Sequence, residues 1–318
     1  YQLIAWVDDF LSNRTQKVVI DGEDSSEAPV TSGVPQGSVI GPAMFLFYIN
    51  DLPDNLKSPI RLFADDTIAY NSAFNHSTIQ DDLTKLELWE QQWDMEFHPS
   101  KCQHIVFSRK RQPTDESLYL HGTEIPKTDN IKYLGVTLDP KLNWNKHIDN
   151  VTAKGNSTLG FIRRNILTTS ENVRNTAYKQ LVRPVLEYAS ASWDSVSDTA
   201  AGRLEAVQRR AARLVCGIRR TDRKTSTTSL LQKLNLQPLS DRRSDRRLKI
   251  FSQYHHSSKA IISNYIQRAS YSSARKHAVQ YFIPQSNTLH FQRSFFIRTA
   301  KDWNALPADS PLLVPPRV

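Results

Sequence analysis

Two adjacent carboxylates, Asp65 and Asp66, stand between apolar residues: Ile60, Leu62 and Phe63 before them, Ile68, Ala69 and Tyr70 after. Two β-prone runs meeting at an acid pair predict a tight hairpin with both acids at its tip. Neighbouring carboxylates repel, and burying one is costly, so a positive charge is expected to hold them. A divalent cation does this well, because hard oxygen ligands suit Mg²⁺ and Mg²⁺ bridges to phosphate oxygens. A solvated Asp-Asp turn is the simpler reading of the same two residues, since Asp is a common turn former.

A second set of residues lies upstream. Gly33, Pro35, Gln36 and Gly37 fall in a loop over residues 31–38, and Gly41-Pro42 then opens an apolar run that Pro53 ends. Proline suits a helix's first turn, and glycine lets backbone approach a ligand closely. No Gly-Lys-Ser/Thr follows, so this is not a Walker loop, and taken alone it reads as a structural turn. Downstream, His98-Pro99-Ser100-Lys101 breaks a helical pattern and leaves Lys101 as a lone cation, in itself no more than a surface lysine.

The elements that must carry these residues follow from periodicity. Leu3, Ile4, Val7, Phe10 and Leu11 predict a helix over 1–13, with Asp8 and Asp9 on a solvated face. Val18-Val19-Ile20 leads as a strand into the turn Asp21-Gly22. Ile79, Leu83, Leu86, Leu88, Trp89 and Trp93 predict a helix over 77–97. Residues 103–108 read as a strand, 118–125 as a hairpin turning near Gly122, and 131–138 as another strand. From about residue 143 the pattern becomes helical, with helices over 146–166, 171–193 and 200–215 and Gly217 as the stop of the last.

Charge divides the chain. Residues 1–150 carry a net −9 and residues 151–318 a net +18, which suggests metal chemistry in one half and polyanion contact in the other. The third helix bears Arg203, Arg209, Arg210 and Arg213, and Arg219 and Arg220 follow. Ser240-Asp241-Arg242-Arg243 repeats as Ser244-Asp245-Arg246-Arg247, and the four-residue step stacks like on like. That pattern fits a phosphate-facing stripe or a helix laced with Asp–Arg pairs. Phe291, Phe295, Phe296, Trp303 and Pro307 are expected to pack back on the helical part. No run approaches membrane-spanning length. Cys102 and Cys216 give no disulfide framework and fit a reducing compartment; Cys102-Gln103-His104 is too sparse for zinc. The chain opens at Tyr1 in what already reads as mid-helix, so a fragment of a longer polypeptide is expected.

The order of the motifs is more specific than any one of them: Val34-Pro35-Gln36-Gly37-Ser38, Gly41-Pro42, Tyr48-Ile49-Asn50-Asp51-Leu52-Pro53, Phe63-Ala64-Asp65-Asp66, Pro99-Ser100-Lys101, Tyr133-Leu134-Gly135-Val136. This series resembles the reverse transcriptase of LINE-type (non-LTR) retrotransposons, near the jockey/CR1 group of animals, over roughly residues 1–220. The resemblance implies an α+β fold. A partial polymerase palm, antiparallel sheet with helices, would occupy residues 1–142. An all-α thumb-like region would follow over 143–220, then a basic, mostly helical C-terminal region over 221–318. It implies an RNA-directed DNA polymerase using Mg²⁺, with Mn²⁺ as an alternative, and as partners an RNA template, a DNA primer and deoxynucleoside triphosphates.

Residue by residue, the resemblance makes Asp65 and Asp66 catalytic metal ligands, Asp65 the stronger. It makes Gly33, Pro35, Gln36 and Gly37 the segment beside the templating base and incoming nucleotide. Lys101 would neutralise or protonate the leaving pyrophosphate; Tyr133, Leu134 and Gly135 would form the primer grip; Arg209, Arg210 and Arg213 would track the duplex backbone. His98 stands where the family usually has Asn, which bears on the turn before Lys101. The family's other metal-binding aspartate is expected upstream of residue 1, as are the fingers, so the isolated chain is expected not to polymerise. The rival readings are a non-enzymatic nucleic-acid-binding remnant and another palm polymerase, such as a group II intron or RNA-templated RNA enzyme.

Overall fold

The computed structural model describes residues 2–314 apart from 73–74, 112–115, 167, 220, 223, 258–264, 271–278 and 286. Arg220 therefore lies outside the described residues. The chain forms two compact units. The first runs to Val106 and includes Lys110–Thr128; the second holds Phe107–Arg109 and the chain from Asp129 on.

The first unit mixes helices with short antiparallel pairs. Helix α1 (Gln2–Leu11) leads to β1 (Arg14–Gln16), β2 (Val19–Ile20), β3 (Glu23–Asp24) and β4 (Ala28–Val30), with β1 paired to β4 and β2 to β3. Asp8 and Asp9 are exposed as expected, yet α1 buries none of its described residues. Helix α2 (Gly41–Ile49) precedes the β5 (Ile60–Phe63)–β6 (Asp66–Ala69) hairpin, and α3 (His76–Trp93) follows. Their apolar sides meet in a core of Ile49, Leu52, Ile60, Leu86 and Trp89. The Trp89 indole N–H donates to Asp51 at 2.9 Å, which ties the end of α2 to α3. Buried Asp82 accepts from the Lys57 and Ser58 backbone N–H groups at 2.9 and 2.7 Å. Burial alone would raise its carboxyl, but these donors and Lys85 outweigh that and hold it below the usual range. Helix α3 stops at Trp93 rather than at 97: Asp94 turns left-handed at φ +52°, and the Glu90 carboxylate takes the Phe97 N–H.

The expected hairpin near Gly122 forms as β7 (Tyr119–Leu120) and β8 (Thr123–Glu124). Residues 103–108 are not a strand. His104 makes an isolated parallel bridge to Lys127, and further along the segment the Ser108 N–H donates to the Pro140 carbonyl.

The second unit opens with a hairpin where one strand was expected. β9 (Ile131–Tyr133) and β10 (Val136–Leu138) pair antiparallel around Leu134 and Gly135, both at positive φ. Helix α4 (Asn145–Ile166) agrees with its pattern. The helix expected over 171–193 is broken into α5 (Glu171–Ala177), a π-helical segment Tyr178–Val182, α6 (Arg183–Glu187) and α7 (Ser190–Trp193). Pro184 cannot donate to the turn before it, and the wider π turn absorbs that loss; Ala189 then turns left-handed at φ +51°. Helix α8 (Asp198–Val215) packs on α4 and α5, with Leu204, Val207 and Ala211 in a core shared with Leu186 and Trp193. Gly217 ends it at φ +68°. Helices α9 (Thr227–Lys233) and α10 (Leu239–His256) follow, then α11 (Leu289–Gln292) and α12 (Phe295–Asn304). The tail does pack back: Trp303 and Ile297 of α12 join Phe251 of α10 in a second core, flanked by Phe295 and Phe296.

The molecule is thus α+β, helices with five separate two-stranded antiparallel pairs among the described residues. No described helix is long and apolar enough to cross a membrane.

Candidate functional site

The β5–β6 register pairs Phe63 with Asp66 and leaves Ala64 and Asp65 as a two-residue turn. Ala64 sits at φ +52°, the left-handed start that the twist of a tight hairpin favours over ordinary turns. That conformation costs an alanine about 1–2 kcal/mol, held here by four cross-strand pairs below it. Asp65 is therefore at the tip and Asp66 is the first residue of the returning strand. Both are exposed, as is Phe63, whereas Ile60 at the foot of the hairpin is buried. The apolar flanks thus anchor the hairpin at its base without enclosing its tip. Neither side-chain carboxylate takes part in a hydrogen bond or ion pair with a described residue. Two hard oxygen donors on adjacent residues, open to solvent and uncompensated, suit Mg²⁺ or Mn²⁺. Among the described residues no group of three or more His, Cys, Asp or Glu is gathered closely enough to hold a metal.

The loop before α2 is braced at both ends. At its start, the Arg14 side chain donates to the carbonyls of Leu11 (2.8 Å), Ser32 (3.2 Å) and Gly33 (2.6 Å). At its end, Ser38 Oγ donates to the Pro35 carbonyl at 2.8 Å and accepts the Gly41 N–H at 2.9 Å. A Cβ at Gly41 would lie 2.7 Å from Ser38 Oγ and 2.9 Å from the Pro35 oxygen, so only glycine fits this buried corner. Between the braces Gly33 and Gly37 adopt φ +75° and +85°, and Gln36 and Gly37 are exposed. Pro35 is half-buried.

Lys101 ends the 3-10 turn Pro99–Lys101 and is exposed; its backbone N–H donates to the His98 carbonyl. The acid pair, the loop and Lys101 all belong to the first unit. The second unit carries the other expected residues. Tyr133 closes β9, and Leu134 and Gly135 make the turn. On α8, Arg209 is exposed with no partner among the described residues, and exposed Arg210 donates to Asn156 at 2.9 Å. Arg213 is spent on the chain itself, donating to the carbonyls of Arg219 (2.8 Å) and Asp222.

The repeated Ser-Asp-Arg-Arg of α10 is not a phosphate-facing stripe. Arg243 and Arg247 are 3% and 1% exposed and converge on buried Asp194, and Arg247 also reaches Asp302. Arg242 forks onto Glu187. The pairs run away from α10, not along it, because Arg243 and Arg247 are buried and Arg242 is half-buried; Arg246 is exposed and donates to the Glu187 carbonyl. Periodicity along one helix carries no information about carboxylates 50 residues away in sequence.

Sequence reasoning gave Arg14 no role, and it named Ser38 and Gly41 as motif members without their mutual bracing. A serine three residues before a Gly-Pro helix start is a legible turn signal. Arg14 left none, since its partners are backbone carbonyls.

Residues 2–138 match the family Reverse transcriptase (RNA-dependent DNA polymerase). Over 222 residues, 65% of this chain, the sequence is 31% identical to the probable RNA-directed DNA polymerase from transposon X-element of Drosophila melanogaster, covering 24% of that protein. It is 29% identical over 233 residues, 68% of this chain, to the RNA-directed DNA polymerase from mobile element jockey of the same species, covering 25% of it. A putative 115 kDa protein in type-1 retrotransposable element R1DM, also from Drosophila melanogaster, is 25% identical over 219 residues, 65% of this chain and 21% of its own length. The chain spans about a quarter of the length of the curated relatives it matches first.

Proposed function

We propose that the chain, whose residues 2–138 match the reverse transcriptase (RNA-dependent DNA polymerase) family and which is similar to RNA-directed DNA polymerases of mobile elements, serves nucleotidyl transfer to a primer 3′-hydroxyl on an RNA template. The observation that carries the proposal is the exposed, uncompensated Asp65–Asp66 pair, which the family-matched segment raises on a two-residue hairpin turn.

In this reading residues 1–142 are part of a palm, 143–220 a thumb and 221–318 a basic C-terminal region. Asp65 and Asp66 bind Mg²⁺, or Mn²⁺, together with ligands contributed from elsewhere in a longer polypeptide. When bound, the metal lowers the pKa of the primer hydroxyl and neutralises charge on the triphosphate and the departing pyrophosphate. The chain's own residues do the positioning. Gln36 and the Gly37 backbone, held between the Arg14 and Ser38 braces, face the templating base and incoming deoxynucleoside triphosphate. Lys101 offers its ammonium to pyrophosphate. Tyr133, Leu134 and Gly135 seat the primer end. Arg209 and Arg210 meet duplex phosphates, which carry no sequence information; Arg213 acts by fixing the loop after α8.

Because one hairpin supplies two carboxylates, the isolated 318 residues are proposed to bind an RNA–DNA hybrid without extending it. That also favours a second reading, a non-enzymatic nucleic-acid-binding module. Primer extension with Mg²⁺ separates the two. A polymerase containing this segment extends a DNA primer on RNA and loses that activity on Asp65→Ala; a binding module extends nothing in any context. Extension that survives Asp65→Ala overturns the catalytic reading.

A further inference from the structure

The two copies of Ser-Asp-Arg-Arg on α10 grip a single elbow of the second unit. Arg242 forks onto the Glu187 carboxylate, its Nη2 2.9 Å from Oε2, and Arg246 donates to the Glu187 carbonyl at 3.0 Å. One residue further along each copy, Arg243 (2.8 Å) and Arg247 hold Asp194. Glu187 and Asp194 bracket the six residues between α6 and the end of α7, so α10 clamps both ends of that stretch. Inside it, fully buried Trp193 donates its indole N–H to the Tyr188 carbonyl at 2.8 Å, and Ala189 turns left-handed.

The one large side chain this clamp leaves facing out is Tyr188, 57% exposed. Its hydroxyl donates to the Leu134 carbonyl at 3.1 Å. Its ring lies against Gly135: a Cβ there would come within 3.1 Å of the ring edge, and the φ of +81° already disfavours any other residue. The β9–β10 turn is therefore seated on an aromatic ring whose own backbone is fixed by buried ion pairs.

We propose that Tyr188 is a positioning residue for the Leu134–Gly135 turn, and that the arginines of α10 act through it to fix where that turn meets the primer terminus. The inference rests on the primer-grip reading of residues 133–135. It assigns the repeat a role in primer placement without any contact between its arginines and nucleic acid.

The test uses the full 318-residue chain and fluorescence anisotropy on two labelled substrates, an RNA–DNA hybrid with a recessed primer 3′ end and a blunt hybrid of the same length. Tyr188→Phe removes one exposed hydroxyl and is expected to leave the melting temperature unchanged while weakening recessed-end binding about 3- to 10-fold, the range of one hydrogen bond. Arg242→Met is expected to shift the same preference in the same direction. Blunt-hybrid affinity stays within twofold in both variants. Equal weakening on both substrates, or no weakening on either, overturns the inference while leaving the polymerase reading intact. Wild-type chain that binds neither hybrid overturns the polymerase reading and this inference with it.

Discussion

Arg14 holds Gly33 by its backbone, the guanidinium Nη2 standing 2.6 Å from the carbonyl oxygen while the same side chain reaches Leu11 and Ser32. One side chain thereby joins the end of α1, the first strand and the start of the glycine loop. A planar fork with several donors suits adjacent carbonyls, and an ammonium does not replace it.

Arg14→Ala and Arg14→Lys are both expected to loosen the loop. Amide exchange at Ser38 and Gly41, whose N–H groups are bonded inside the loop, should speed about 10-fold, the equivalent of losing about 1.4 kcal/mol of local stability. Hydrogen-exchange mass spectrometry over residues 31–45 checks this. Unchanged protection in both variants would show that the Ser38 brace suffices alone.

Asp194 is the shared counter-ion of Arg243, Arg247 and Arg298. Asp194→Ala strands two buried guanidinium groups and is expected to destabilise the second unit by about 3–5 kcal/mol, read as a lower urea midpoint by tryptophan fluorescence. If the α10 arginines faced phosphate instead, stability would hold and hybrid affinity would fall.

His147 is buried against Trp193 and accepts the Thr137 N–H on Nδ1 at 3.2 Å; burial holds its imidazole below the ordinary value. The unfolded chain takes up the proton first as pH falls, so stability is fully present above about pH 6.5 and declines below it toward the depressed folded value. His147→Asn keeps an acceptor and does not titrate. Denaturant midpoints at pH 7.5 and 5.5 should fall further in the wild type than in the variant; equal falls would remove His147 from the pH response.

Arg209 is exposed and unpaired among the described residues. Arg209→Ala is expected to lower the slope of log affinity against log salt by about 1 for an RNA–DNA hybrid. A slope identical to wild type, or a flat salt response in the wild type, counts against duplex tracking by α8.

The hairpin at Asp65–Asp66, the turn at Gly122 and helices α4 and α8 were legible in the sequence, because each is set by residues close together in the chain; the back-packing of Trp303 was legible from its aromatic neighbours alone, though not that Phe251 receives it. The breaks were not. Pro184 is visible in the sequence, but that a π turn accommodates it is not, and whether residues 103–108 find a partner strand is a tertiary matter. The arginine repeat misled for the same reason: its spacing announces a stripe, but whether a stripe faces water or Asp194 is a tertiary fact. In the candidate site, the acids and glycines were visible by type, while Arg14 acts through carbonyls that every residue has.

Single-turnover primer extension by a polymerase carrying this segment, wild type against Asp65→Ala, with hybrid affinity measured alongside, tests the central claim most directly. The account predicts unchanged affinity for the hybrid and a loss of extension well beyond the ~10²–10³-fold typical of removing one electrostatic donor. Extension within a few-fold of wild type would contradict it.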